Sequence, residues 1–170
     1  MQKVTELNTT VALAVERMNW SRNFTFFLLE SFSDNQLAHR VDGVGNHALW
    51  IMGHIAWMDD YSVSTVTGEP CILPEQYTTM FGSGTPLTGN PADYPSQSEL
   101  VAMMTSARQR MISWAETLDE STSLTPTPES LQMFSPNNIA LPFTIVAHDL
   151  FHLGQLATVR SSLGMKLVHA

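Results

Sequence analysis

A chain of 170 residues with 44% hydrophobic content is long enough for one domain, residues 1–170, with a sizeable core. Its net charge of −8, without any cluster of Lys or Arg, gives a field of the wrong sign for phosphate backbones or anionic lipid, so nucleic acid and membrane surfaces are not its partners by this reading. Charged residues make up only 14%, which leaves much of the surface polar-neutral or covered by a partner, and a homo-oligomer is expected.

The first segment, from about Thr5 to Ser31, places Leu7, Val11, Ala14, Val15, Met18, Phe24, Phe27 and Leu28 near helical spacing without Pro or Gly, and predicts one long helix. After the polar turn SDNQLAHRVDGVG, Asn46 is the expected N-cap of a second helix that continues to about Val66 and stops at Thr67-Gly68. This helix is apolar round most of its girth. Residues 68–95 then hold five prolines and four glycines among 28 positions, a connection too long and too punctuated for a simple turn and suited to a lid.

Ser96 and Glu99 have the spacing of a capping box, opening a third helix whose Leu100, Met104, Ala107, Met111, Trp114 and Leu118 recur at three and four. A second loop, roughly 120–141, leads past Pro142 into a fourth helix that ends near Gly164, a suitable C′ residue. Four helices, no convincing strand and no internal repeat predict an all-α four-helix bundle. On the last helix, Leu141, Thr144, Ile145, His148, Phe151, His152, Gln155 and Val159 share one face, while Phe143, Val146, Leu150, Leu153, Gly154 and Ala157 share the other. Both faces call for burial, the second against another helix or a twofold-related subunit.

His148 and His152, four residues apart, rise from adjacent turns about 6 Å apart along the axis and can converge on one ion. Neutral imidazole suits zinc, nickel, copper or iron. A third ligand has to come from another helix, and the second one offers His54 on a stripe with His47, Trp50, Ile51, Met58 and Tyr61. A lone core histidine is more often tied to a backbone carbonyl, but three histidines on facing stripes favour a shared metal. His47 is expected to cap or rim its helix, and His39 and His169 to be solvated. Asp59, Asp60 and Asp149 point away from the histidine stripes and are expected in water. Gln155, one turn beyond His152, is placed to orient a metal-bound water or a substrate oxygen, or else to tie helix to helix. Cys71, the sole cysteine, permits no internal disulfide and reads as incidental in its Pro-rich loop. The opening MQKVTELNTT lacks an apolar signal core, and no run approaches the roughly eighteen apolar residues of a membrane span, so a cytoplasmic location is expected.

At these residues the sequence resembles the DinB/YfiT-like superfamily of helical-bundle metalloenzymes. The likeness is carried by GHIAW (53–57), HDLFHLGQ (148–155) and LATVRSSLG (156–164), and extends through SFSDNQL and YPSQSEL over nearly the whole chain. One departure is Leu153, where many relatives carry a basic residue. The resemblance implies an up-down-down-up bundle and a homodimer. It also implies a divalent transition metal (Zn, Ni or Fe) on His54, His148 and His152, with positions open for water or substrate. It further implies a thiol-dependent transferase or isomerase using a low-molecular-weight thiol. In that reading an apolar pocket of Trp50, Trp57, Met58 and Phe151 holds a small electrophile, with Gln155 and Tyr61 as the catalytic candidates. The alternatives are a metal-dependent hydrolase, which lacks an obvious carboxylate base, and a non-catalytic bundle that binds metal or a small ligand.

Overall fold

The computed structural model describes residues 2–43 and 45–166, with side chains from residue 5 onward; the expectation for His169 lies outside the described residues. Four long helices form the bundle: α1 (Gln2–Leu29), α3 (Ala48–Thr67), α5 (Gln97–Ala115) and α7 (Leu141–Ser162). Three short helices lie in the connections: α2 (Asp34–Leu37), α4 (Gln76–Phe81) and α6 (Glu129–Gln132). Among the described residues no strand forms; Pro126 and Asn137 pair in an isolated antiparallel bridge. Among the described residues no helix is long and apolar enough to cross a membrane.

The helix ends follow local chemistry. Ser96 accepts from the Glu99 amide while the Glu99 carboxylate accepts from the Ser96 amide, the reciprocal box read from the sequence. α3 and α7 end at Gly68 and Gly164, both at positive φ, where a residue without Cβ turns the chain at no steric cost. The α3 N-cap, however, is His47 and not Asn46. The His47 Nδ1 accepts from the Trp50 amide at 3.1 Å, and Asn46 turns instead toward α7.

α3 packs most extensively against α5, and α1 against α7. α3 is buried at every position from Ala48 to Val63 except Trp57 and Tyr61, as its all-round apolarity requires. The bonds that cross the bundle give the helix directions. Ser21 meets Asp149 and the Leu28 carbonyl meets Arg160, so α1 and α7 ascend together. Arg22 meets the Met104 carbonyl and Arg108 the Met18 carbonyl, so α5 runs against α1. Asn46 meets Gln155 and His54 meets His148, so α3 runs against α7. This is the sense that an up-down-down-up order requires.

Asp59, Asp60 and Asp149, expected in water, are buried to about 1% exposure. Asp59 on α3 accepts from Arg22 of α1 and from Arg108 of α5, and Asp149 on α7 accepts from Arg108 and Ser21. One charged side chain from each long helix therefore meets at the centre, two of each sign. Burial opposes ionisation of Asp149, but Arg22 and Arg108 outweigh it and hold its carboxyl below the usual range. Asp60 accepts from the amides of Ile72 and Leu73 and pairs with Arg110. The wheel placed these carboxylates away from the histidines correctly, but in a bundle a helix facing two neighbours has more than one buried side. His39 also departs from expectation: it is half-buried and bonds Ser162 at 3.0 Å.

Candidate metal centre

The connection of residues 68–95 is a strap, not a free lid. It runs back along α3 and is pinned at successive turns of one helix face. Asp60 holds Ile72 and Leu73, Trp57 Nε1 donates to Thr78, and His54 Nδ1 donates to the Phe81 carbonyl. Trp50 Nε1 then donates to Thr85 and His47 Nε2 to the Thr88 carbonyl. The α3 positions fall through 60, 57, 54, 50 and 47 as the strap positions rise, the period of a single helical face. Gly53 makes the central contact possible. A Cβ there would stand 2.2–2.4 Å from ring carbons of Phe81, so only the bare backbone admits that ring and brings its carbonyl to His54.

That bond fixes the His54 tautomer. A carbonyl only accepts, so Nδ1 carries the proton and Nε2 presents a lone pair inward. His152 is held alike, its Nδ1 2.8 Å from Gln155 Oε1, which also accepts from Asn46 Nδ2 at 3.1 Å. His148 completes the group: its Nε2 lies 3.1 Å from that of His54 and 3.2 Å from that of His152. The ligating atoms of all three lie within 4.8 Å of one another.

These separations suit a shared cation. Nitrogens about 2.0–2.1 Å from an ion stand about 3.0 Å apart at right angles and about 3.4 Å apart at the tetrahedral angle. Without a cation the set is poorly satisfied, because two of the three Nε2 atoms are lone pairs and the His148 proton serves one of them well. All three rings are held neutral. Burial lowers the pKa of His54, and the Phe81 carbonyl opposes it only in part. Burial, then the neighbouring His152 and His54, bring His148 down to about 3, and burial with His54 brings His152 to about 4. Neutral imidazole is the ligating form. The Trp50 ring stacks on His54 at 4.4 Å, and Phe151 meets His152 edge-on at 5.1 Å.

A match to the family model described as the DinB superfamily covers residues 17–156, which include all three histidines and the whole bundle core between them. The chain belongs to the DinB superfamily. No curated protein matches it. Within this superfamily chain, the GH pair of the second helix and the H-x-x-x-H of the fourth are the residues that meet.

A cavity of about 470 Å³ adjoins the cluster and shares His148 with it. Of the residues expected to form the apolar pocket, Trp57 and Met58 line it while Trp50 and Phe151 do not, and Tyr61 lines it as well. Trp50 is buried against His54 and bound to the strap, and Phe151 is 64% exposed. The sequence reasoning missed further lining residues, Leu131 of α6, Phe134 just beyond it, and Thr144 and Ile145 of α7. Gln155 does not line this cavity, and its oxygen is committed to His152 and Asn46.

Proposed function

We propose that the chain is a metal-dependent enzyme in which His54, His148 and His152 hold a divalent transition metal, and that it joins a low-molecular-weight thiol to a small electrophile. The observation that carries this reading is the convergence of three neutral imidazole Nε2 atoms from α3 and α7, two of them fixed as lone-pair donors by bonds at their Nδ1 atoms. A cation held there would supply the acidity needed to deprotonate a thiol at neutral pH. The protein's residues do the rest. Phe81 and Gln155 orient two ligand rings, Trp50 shields His54 from water, and the apolar wall of Trp57 and Met58 receives the electrophile. In the reaction, sulfur forms a bond to the electrophilic carbon, the thiol proton passes to solvent, and the leaving group departs with the bonding pair. Thiol chemistry is favoured over hydrolysis because no Asp or Glu lines the cavity to serve as a base for water.

We propose further that two copies pair through α1 and α7. Leu13, Trp20 and Phe27 recur every seven residues on α1 and are each 48% exposed, and Phe143 and Leu150 do the same on α7 at 41%. Such a stripe on two adjoining helices suits an isologous contact.

Elemental analysis of the purified protein tests the metal. His148→Ala is expected to abolish binding while helicity by circular dichroism is retained. A panel of small thiols with a chromogenic aryl chloride tests turnover, and metal-loaded protein no faster than its chelated form would sink the enzymatic reading.

A further inference from the structure

The cavity beside His148 also limits what the second reactant can be. Among the described residues, none that line it is Asp, Glu, Lys or Arg. Trp57 and Tyr61, one turn apart on α3, stack with ring centroids 4.9 Å apart and planes 19° from parallel, and Met58, Leu131 and Ile145 complete the wall. In the metal-free protein, a charged solute entering this space would shed its water and find no charged side chain to pair with. An uncharged ring would keep its dispersion contacts and gain burial of apolar surface. The Trp57 N–H is already spent on Thr78, whereas the Tyr61 hydroxyl has no hydrogen-bond partner among the described residues. The cavity therefore offers flat aromatic faces, an apolar floor and, among the described residues, three hydroxyls without a hydrogen-bond partner, those of Tyr61, Ser83 and Ser130, in a volume within the range of small-molecule sites.

We infer that this cavity binds an uncharged aromatic small molecule, which lies along Trp57 and Tyr61 with its reactive end at His148. The assignment rests on the metalloenzyme reading only for that molecule's role as electrophile; the binding itself is a property of the wall. Amine-bearing parts of a cosubstrate, which a cation at His148 would repel, are excluded from this space by the same argument.

Calorimetric titration of the full chain, as purified and after chelation, with naphthalene-2-methanol and naphthalene-2-sulfonate tests the inference. The alcohol is expected to bind both forms, and the sulfonate at least tenfold more weakly than the alcohol to the chelated form. Ala147→Phe, at an exposed lining position of α7, is expected to fill the space and weaken the alcohol at least tenfold, with helicity and metal content retained. Phe134→Ser at the exposed rim is a second variant, with a severalfold loss expected. Equal affinity of the chelated protein for alcohol and sulfonate, or unchanged alcohol binding in both variants, would overturn the assignment. Protein that never holds metal yet discriminates between the two probes would refute the metalloenzyme reading and uphold the cavity. Protein that holds metal but, once chelated, fails to discriminate would do the reverse.

Discussion

Phe81 lies with its ring against the bare backbone of Gly53 and with its carbonyl on the imidazole of the next residue, His54. One close approach thus does two things: it docks the strap on α3, and it sets which nitrogen of a candidate metal ligand faces inward. The GH pair is a mechanical unit. Its glycine supplies clearance and its histidine uses the carbonyl that the clearance admits.

Gly53→Ala tests that unit. Alanine gains about 0.5–1 kcal/mol of helix propensity, but overpacking a filled site costs about 1–3 kcal/mol. Phe81 is fully buried, so its ring cannot swing into solvent, and a net loss of stability is expected together with weaker metal binding. Adding Phe81→Leu makes room and is expected to recover part of the stability, which a double-mutant cycle by urea denaturation reads directly. A Gly53→Ala protein as stable as the native one, with unchanged metal affinity, would show that the contact is incidental.

Gln155 acts on His152 and not on the cavity. Gln155→Leu removes the acceptor for His152 Nδ1 and the partner of Asn46, and a loss of about 10–100-fold in metal affinity is expected. Gln155→Glu keeps an acceptor and is expected to keep most of the affinity. Competition with a chromophoric chelator measures both, and equal affinities for the leucine variant and the native chain would end the positioning role.

The histidine centre was legible because its signals are local. The i,i+4 pair on one helix and a histidine amid Trp and Met on another both survive folding as read. The capping box at Ser96 was legible for the same reason. The strap was not, since its anchors join residues 12 to 41 apart in sequence and no periodicity links Trp50 to Thr85 or His47 to Thr88. The central charges were missed differently. Arg108 follows Ala107 within the apolar stripe from Met104 to Met111, and Arg22 follows Met18 at i+4, so cations on buried faces were in view. They called for buried carboxylates, which the wheel had sent to solvent.

Those charges yield a further prediction. Asp59 accepts from Arg22 at 3.0 Å and from Arg108 at 2.8 Å and 3.2 Å, all within the core. Asp59→Ala leaves two buried guanidinium groups facing Asp149 alone, and a loss of about 3–5 kcal/mol is expected. Pairing it with Arg22→Met restores equal numbers of each sign, so the double variant should lose less than the sum of the single changes. Strict additivity in urea denaturation would mean that the four groups are energetically independent.

Stability should also fall in acid. His47 donates from Nε2 to Thr88 and accepts at Nδ1 from Trp50, an arrangement only the neutral ring can make. Burial lowers its pKa to about 4, with Arg40 adding to the shift and the Thr88 carbonyl opposing it. The unfolded chain, with a histidine pKa near ~6.5, binds a proton that the folded one refuses, so the contribution is complete above that pH and is lost as pH falls toward about 4. His152 and His148 in the metal-free protein carry the same sign. Urea midpoints of chelated protein should therefore drop between pH 7 and pH 5, with a shallower drop for His47→Gln; a midpoint that rises over this range contradicts the assignment.

The α1–α7 stripe makes the last prediction. Trp20 and Leu150 sit at matching heights, because Ser21 meets Asp149 across the same seam, and each leaves much of its apolar surface in water in a single chain. Covering that surface with its twofold equivalent removes it from solvent at about 25 cal/mol per Å². Sedimentation equilibrium is expected to give twice the mass of one chain. Trp20→Glu combined with Leu150→Glu places like charges against each other across the twofold axis and should return the single-chain mass. Both residues lie outside the cavity, so naphthalene-2-methanol binding should survive the change. A double variant that remains dimeric moves the interface to another face, since no dimer built on this stripe tolerates four buried carboxylates without partners.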